Sequence, residues 1–198
     1  LREAITIIRK LWTGQLVDFR GDHFRVDNAR VYSLPEQPPP LYVAASGPAA
    51  ADLAGEHGDG LITTSPNAEL VQRFEAHRQG RPKIGQATVC VAASEDEGRA
   101  TAFKYWPTAA LSGSFKNELP LPSHFQEAIA TVRAEDVAEQ VVCSLDPREH
   151  VAAIDAFVEA GFDHVYVHQV GKEQERFFRF YEEEILPHYA ERRAAPAA

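Results

Sequence analysis

The sequence predicts an α/β fold with a parallel sheet. Short, nearly all-apolar segments alternate with segments of helical periodicity, a pattern typical of βα units whose sheet is covered by helices. The predicted strands are residues 41–45, 61–64, 87–93 and 164–169. The predicted helices that follow them are residues 48–57, 67–79, 95–106 and 173–191. Four such units are half of an eight-stranded (β/α) barrel, which has about 250 residues. The pattern is therefore compatible with two folds, half of a barrel or a small open sheet that is complete in itself.

A helix and a β-hairpin precede the first of these units. The segment "LREAITIIRKLWTG" has apolar residues at helical spacing and a stop at Gly14. The segment "QLVDFRGDHFRVDN" alternates apolar and polar residues on either side of Arg20-Gly21-Asp22, which predicts a hairpin. The chain contains no methionine and its first helix has no capping residue. We therefore expect further residues upstream of Leu1.

A long insertion separates the third and fourth units. Residues 107–133 show no βα pattern, and two more helices are predicted at 134–143 and 147–160, the second starting at Asp146-Pro147. Insertions of this kind often carry specificity in α/β proteins. We predict one domain, residues 1–198, that contains this insertion.

Composition limits the classes of partner. The chain has 198 residues, 44% of them hydrophobic, and a formal net charge of −9, which disfavours binding to nucleic acid or anionic membranes. Its longest apolar runs are too short to span a bilayer. Cys90 and Cys143 lack CxxC spacing and no HExxH occurs, so we expect no zinc site, no other metal and a cytoplasmic setting.

The segment Ser46-Gly47-Pro48-Ala49-Ala50 is the first candidate site. It starts a predicted helix directly after a predicted strand, where free backbone N–H groups and the positive end of the helix dipole favour an anion. Gly47 permits close backbone approach, Pro48 suits the first turn, and the alanines leave room. The alternative is an ordinary tight βα turn.

Two other polar groups need interpretation. The segment "EHGDG" at 56–60 lies between a helix end and a strand start, so we interpret it as structural. His168 ends the last strand and either lines the site or is a hydrogen-bonded structural histidine. The remaining histidines, apart from His164 at the start of that strand, lie in turns or polar helices; examples are His23, His77, His124, His150 and His188.

Several segments in order resemble the luciferase-like superfamily of flavin- and deazaflavin-dependent oxidoreductases. They are "LWTGQLVDFRGDHFRV", "AASGPAAADLAGEHGDGLITTS", "KYW", "SLDP" and "GFDHVYVH". The chain is most similar to the subgroup that includes coenzyme F420-dependent glucose-6-phosphate dehydrogenase. The resemblance implies a (β/α)8 TIM-like barrel, of which this chain is the C-terminal half. It also implies that the family's catalytic histidine and acid lie upstream of this chain, which alone is then expected to be inactive.

The resemblance assigns roles to individual residues. Ser46 to Ala50 would line the cofactor around its phosphate, although the family has two glycines where this chain has Ser46-Gly47. Thr64 and Lys116 match contacts to a substrate phosphate. Asn67 and Gln140 stand where the family has lysine and arginine, and the loss of two cations argues against glucose 6-phosphate as substrate.

Three functional hypotheses follow. The first is an F420-dependent oxidoreductase that transfers hydride to or from a small organic substrate. The second is an FMN-dependent luciferase-like monooxygenase. The third is a non-catalytic half-barrel that acts as a binding or assembly module, because an open half-barrel exposes strand edges. A homodimer is expected from the resemblance only.

Overall fold

The structure, a computed structural model, describes residues 1–111 and 118–194, with side chains described as far as residue 190. Its contacts divide the chain into two compact units. The first unit is Leu1–Gly85 with Val158–His164, and the second is Gln86–Phe157 with Val165–Ala198. The predicted insertion residue Lys116 lies outside the described residues.

The first unit begins with a helix and a hairpin and continues with βα units. Its helices are α1 (Arg2–Leu11), α2 (Pro48–His57) and α3 (Ala68–Glu75). Its strands are β1 (Val17–Arg20), β2 (Arg25–Ala29), β3 (Tyr42–Ala44), β4 (Gly60–Thr63) and the start of β5 (Lys83–Val89). β1 and β2 form the predicted hairpin, and β4 pairs in parallel with both β3 and β5.

The parallel pairing places two sequence-predicted segments at one edge of the first unit. Val43 pairs with Leu61, and Leu61 pairs with Lys83. Because parallel strands end at the same edge, the turn after β3 and the turn after β4 both lie there. Ser46 and Gly47 lie in the first of these turns, directly before α2, and Thr64 and Ser65 lie in the second.

Glu3 holds the hairpin turn against α1. Its carboxylate accepts hydrogen bonds from the backbone N–H groups of Asp22, His23 and Phe24 at 2.8–3.1 Å. Desolvation raises the pKa of Glu3, but these three hydrogen bonds outweigh it and the pKa lies below its usual value. A side chain at Gly21 would overlap the Glu3 carboxylate, which explains the glycine in the turn.

The "EHGDG" segment has the structural contacts that were predicted for it. The Asp59 carboxylate accepts hydrogen bonds from the backbone N–H of Leu41 and from Arg9, at 2.8 and 3.0 Å. The buried guanidinium of Arg81 donates to the carbonyl groups of Gly55 and Gly58, at 2.8 and 2.6 Å. These bonds satisfy the free carbonyl groups at the end of α2.

Lys83 is a buried cation at the start of β5. Its Nζ lies 2.8 Å from Glu75 Oε1 and 3.1 Å from Asp163 Oδ2. Burial lowers the pKa of Lys83, but the hydrogen bonds to the two carboxylates outweigh it and the pKa lies above the ordinary value. Lys83 therefore joins β5 to α3 and to the turn before the last strand.

The second unit contains the rest of β5 and the later elements. Its helices are α4 (Glu95–Tyr105), α5 (Pro122–Ile129), α6 (Ala134–Ala138), α7 (Pro147–Glu159), α8 (Gln174–Phe180) and α9 (Leu186–Ala194). A 3₁₀ turn spans Pro107–Ala110, and a π-helical turn, Tyr181–Ile185, joins α8 to α9. The last strand is β6 (His164–Gln169), which lies next to β5, and Val89 accepts a hydrogen bond from Val170 at 2.8 Å.

Both cysteines lie in one apolar cluster of the second unit. Val89 forms a parallel bridge with Val142, and the next residue along each segment is a buried cysteine. The cluster consists of Cys90, Ala102, Val137, Val141, Cys143 and Val170. Burial raises the pKa of Cys90 to about 11 and that of Cys143 to about 12.

We expect neither thiol to react in the folded protein. The thiolate is the nucleophile, and burial both disfavours it and blocks access. A disulfide reagent such as dithionitrobenzoate should therefore label no thiol at pH 8 and both thiols in denaturant. Rapid labelling of either cysteine in the native protein would contradict the burial described above.

A second apolar cluster packs the C-terminal helices on β5. Its buried members are Val89, Val91, Phe177, Tyr181 and Ile185. His150 of α7 is fully buried beside it, with Nδ1 2.9 Å from the Tyr181 hydroxyl and Nε2 2.9 Å from the Ser144 carbonyl. Because a carbonyl can only accept, Nε2 carries the proton and Nδ1 accepts from Tyr181. The sequence interpretation of His150 as part of a polar helix was therefore wrong.

His150 should make the second unit acid-sensitive. Burial lowers the pKa of His150, although the Ser144 carbonyl and the charges of Glu149 and Asp146 raise it in part. A histidine whose pKa is lower in the folded than in the unfolded protein does not change the free energy of unfolding above its unfolded pKa, about 6.5. Below that pH the unfolded protein binds the proton more readily, so the free energy of unfolding decreases.

The pH dependence can be isolated with one variant. Urea denaturation of the wild type should show a lower free energy of unfolding at pH 5.5 than at pH 7.5, and His150→Gln should reduce that difference. The Asp146 carboxyl titrates in another range, because its hydrogen bonds with Arg148 lower its pKa to about 2. An equal loss in both proteins would contradict the assignment to His150.

The predicted boundaries hold for some elements and fail for others. The helices predicted at 48–57 and 147–160 and the strand predicted at 164–169 agree within one residue. The strand predicted at 87–93 instead spans Lys83–Val89, and it begins at a lysine whose charge is neutralised inside the unit. The helix predicted at 134–143 ends at Ala138, and the final helix contains the π-helical turn.

Candidate functional site

The start of α2 is open, as the sequence predicted. Within the described residues, no side chain caps this helix, and Gly47 precedes it in extended backbone. The first bond of the helix joins Ala51 N to Gly47 O at 3.1 Å, so the N–H groups of Ala49 and Ala50 precede the hydrogen-bonded turns. A Cβ atom built on Gly47 would have no neighbour within 4 Å. An anion can therefore approach these N–H groups directly.

Small residues place α2 close to its strand. Ala51 and Ala54 of α2 are fully buried, and larger side chains at these positions would hold the helix away from its neighbours. Asp52 forms an ion pair with Arg73 of α3, and the hydrogen bond from Arg73 lowers the pKa of Asp52. The helix start is thus held by its own packing and by α3.

The turn after β4 presents Thr64. The Thr63 hydroxyl donates to the Ser65 carbonyl and accepts from the Ser65 N–H, both at 3.0 Å. These bonds close a tight turn with Thr64 exposed at its apex. Its hydroxyl therefore remains accessible at the same edge of the first unit as the α2 start.

Asn67 is used as a helix cap. Its Oδ1 accepts hydrogen bonds from the N–H groups of Glu69 and Leu70, at 2.9 and 3.4 Å. The residues from Ala44 to Ala51 and from Thr63 to Ala68 include no charged side chain, and the next residue is acidic Glu69. These two segments thus offer hydrogen-bond donors and contain no cation.

In the second unit, His168 and Trp106 contact each other. Their ring centroids are 4.8 Å apart and the rings meet edge to face at 60°. His168 Nδ1 is buried and has no hydrogen-bond partner among the described residues. Nδ1 therefore lacks the hydrogen bond that a structural histidine would be expected to make.

Two other positions bear on the predicted substrate: Lys116, a predicted contact, and Gln140, where the family has an arginine. Lys116 lies outside the described residues, as stated above. Gln140 is exposed in the turn after α6, where its backbone N–H donates to Val137. The sequence analysis did not single out Trp106, because only its contact with His168, 62 residues away, distinguishes it.

Neither a metal-binding cluster nor a membrane-spanning helix is found among the described residues. Histidine, cysteine, aspartate and glutamate do not gather in groups of three or more that would suit a metal ion, in the part of the chain that the structure describes. Within the same residues, no helix combines the length and the apolar character needed to cross a membrane.

The chain is similar to several proteins that are named as F420-dependent dehydrogenases. An F420-dependent glucose-6-phosphate dehydrogenase of Microbacterium testaceum (strain StLB037) is 37% identical over 204 residues, which cover 97% of this chain and 61% of that protein. A protein of the same name from Nakamurella multipartita is 36% identical and covers 94% of this chain and 59% of its own length. The solved structure of an F420-dependent secondary alcohol dehydrogenase with an F420–acetone adduct has a TM-score of 0.76 at 26% identity, covering 93% of this chain and 59% of that chain.

These relatives confirm the predicted fold. The chain spans about three fifths of the length of the curated relatives it matches. Its parallel sheet and helices correspond to a large part of a luciferase-like TIM barrel, in agreement with the prediction of a half-barrel. The sequence profile described as luciferase-like monooxygenase matches residues 1–164. The chain therefore belongs to the luciferase-like monooxygenase family.

Proposed function

We propose that the protein is an F420-dependent oxidoreductase that transfers hydride between F420 and a small, uncharged alcohol or carbonyl compound. The observation that supports it most is the open start of α2 in a chain whose relatives include F420-dependent dehydrogenases. F420 supplies the hydride chemistry when it is bound. The residues of this chain would bind the cofactor phosphate and orient the substrate.

The α2 start fits a phosphate group. The N–H groups of Ala49 and Ala50 are donors, Gly47 leaves the approach open, and the helix dipole favours negative charge. Ser46 is exposed and adds a hydroxyl donor. We assign Ser46, Gly47, Pro48, Ala49 and Ala50 to the cofactor phosphate.

An uncharged substrate fits the polar residues better than glucose 6-phosphate. Thr64 offers a hydroxyl, but the cap formed by Asn67 occupies the position where the family has a lysine. A substrate phosphate held without that lysine and without an arginine at Gln140 would lose several kcal/mol of charge-assisted hydrogen bonding. Lys116 is a proposed substrate contact as well, and a homodimer stays a prediction.

Fluorescence titration tests the cofactor assignment. F420 and FMN should be titrated separately into the purified protein, and inorganic phosphate should compete with F420 if the phosphate occupies the α2 start. Saturable F420 binding with much weaker FMN binding is expected. Binding of FMN alone would make the protein an FMN-dependent member of the family, and binding of neither would favour the assembly module.

A further inference from the structure

His168 is a half-buried residue near the end of β6, between Val167 and Gln169. Its neighbour Val167 packs on the apolar cluster around Phe177 and Tyr181. Its other neighbour, Gln169, is buried and exchanges two 2.9 Å hydrogen bonds with the backbone of Val91. Because side chains alternate along a strand, His168 points away from both of these contacts.

The unpaired nitrogen determines where the proton of a neutral His168 ring lies. A buried N–H without an acceptor costs more than a buried lone pair without a donor, and such N–H groups are rare in folded proteins. The buried Nδ1 therefore carries the lone pair. The proton is therefore on Nε2. The His168 ring is half-buried, and Nε2, unlike Nδ1, is not a buried atom without a partner.

We propose that His168 Nε2–H donates a hydrogen bond to a hydroxyl or carbonyl oxygen of the uncharged substrate, and that Trp106 is a positioning residue for the ring. The edge-to-face contact at 4.8 Å restricts rotation of the imidazole. A donor held in one orientation binds an oxygen with little loss of side-chain entropy. This assignment rests on the proposed function.

Nitrogen-15 NMR of the histidine side chains tests the tautomer without an activity assay. At pH 8, His168 should show an unprotonated-type Nδ1 and a protonated-type Nε2. Trp106→Ala should give a mixture of the two tautomers, whereas Phe103→Ala, which removes a similarly exposed aromatic ring from α4, should not. A protonated Nδ1 in the wild type would overturn the proposal.

Titration of the F420-loaded protein tests the ligand. Propan-2-ol and glucose are the uncharged probes, and glucose 6-phosphate is the anionic probe. An uncharged probe should shift the His168 Nε2 resonance, and His168→Phe should weaken its binding about tenfold, with His168→Gln intermediate because the amide can still donate. A shift with glucose 6-phosphate alone, or with none of the three, would overturn the proposal.

Cofactor and substrate effects can be separated. His168→Phe should leave the F420 dissociation constant and the thermal unfolding temperature unchanged, so a loss of F420 binding in this variant would contradict its assignment to the substrate. If the wild type does not bind F420, the proposed function fails. In that case the same NMR experiments are done without cofactor. The tautomer of His168 and the shift of its Nε2 resonance with propan-2-ol or glucose then test its role separately.

Discussion

Replacement of Ala49 by aspartate is expected to weaken F420 binding by at least about 100-fold while the protein stays as stable as the wild type or becomes more stable. The new carboxylate would stand beside the free N–H groups of the α2 start, where the cofactor phosphate is proposed to bind. Two unit charges about 4 Å apart near a protein surface repel by about 4 kcal/mol, and 2.7 kcal/mol already gives 100-fold.

The opposite effects on binding and stability make this test specific. An acidic residue in the first turn of a helix stabilises it by about 0.3–1 kcal/mol, and Ala49 is exposed, so the side chain fits. Ala49→Asn has the same size without the charge and should lose less than about tenfold in affinity. Ala76→Asp adds the same charge at the far end of α3 and should bind F420 normally. Wild-type affinity in Ala49→Asp would contradict the phosphate assignment.

Replacement of Lys83 by alanine is expected to lower the free energy of unfolding by about 2–4 kcal/mol. Removing one partner of a buried ion pair costs about 3–5 kcal/mol, because the remaining charges are left without compensation. The side chains of Glu75 and Asp163 are 36% and 47% exposed, so water compensates them in part and we expect a loss about 1 kcal/mol smaller than for a fully buried pair.

Two further variants separate charge from packing at Lys83. Lys83→Met keeps most of the aliphatic chain and removes only the cation, so it should retain most of the destabilisation. Lys104→Ala removes an exposed lysine and should change the free energy of unfolding by less than about 0.5 kcal/mol. Urea denaturation measures all of them. A loss below about 0.5 kcal/mol in Lys83→Ala would show that the two ion pairs contribute nothing.

Local patterns in the sequence were sufficient for the α2 region. The strand before it, the glycine and proline at its start and the glycine after it all act within a few residues, and the helix spans Pro48–His57 as predicted. The family resemblance was needed to choose half a barrel over a small open sheet. Periodicity could not decide, because both folds use the same βα unit.

Contacts between distant residues could not be predicted. The charge of Lys83 at the start of β5 is neutralised by Glu75 and by Asp163, which lies 80 residues later in the sequence. His150 is buried because Tyr181 and the Ser144 carbonyl satisfy both ring nitrogens, and no local pattern distinguishes it from an exposed histidine. The unpaired Nδ1 of His168 likewise depends on the packing of Trp106.

The most direct test of the central claim is a titration of the protein with F420 followed by backbone amide NMR. If the cofactor phosphate binds at the start of α2, the amide protons of Gly47, Ala49 and Ala50 should show the largest downfield shifts, and inorganic phosphate should shift the same amides at higher concentration. Binding of F420 that leaves these amides unchanged and shifts others would contradict the proposed site.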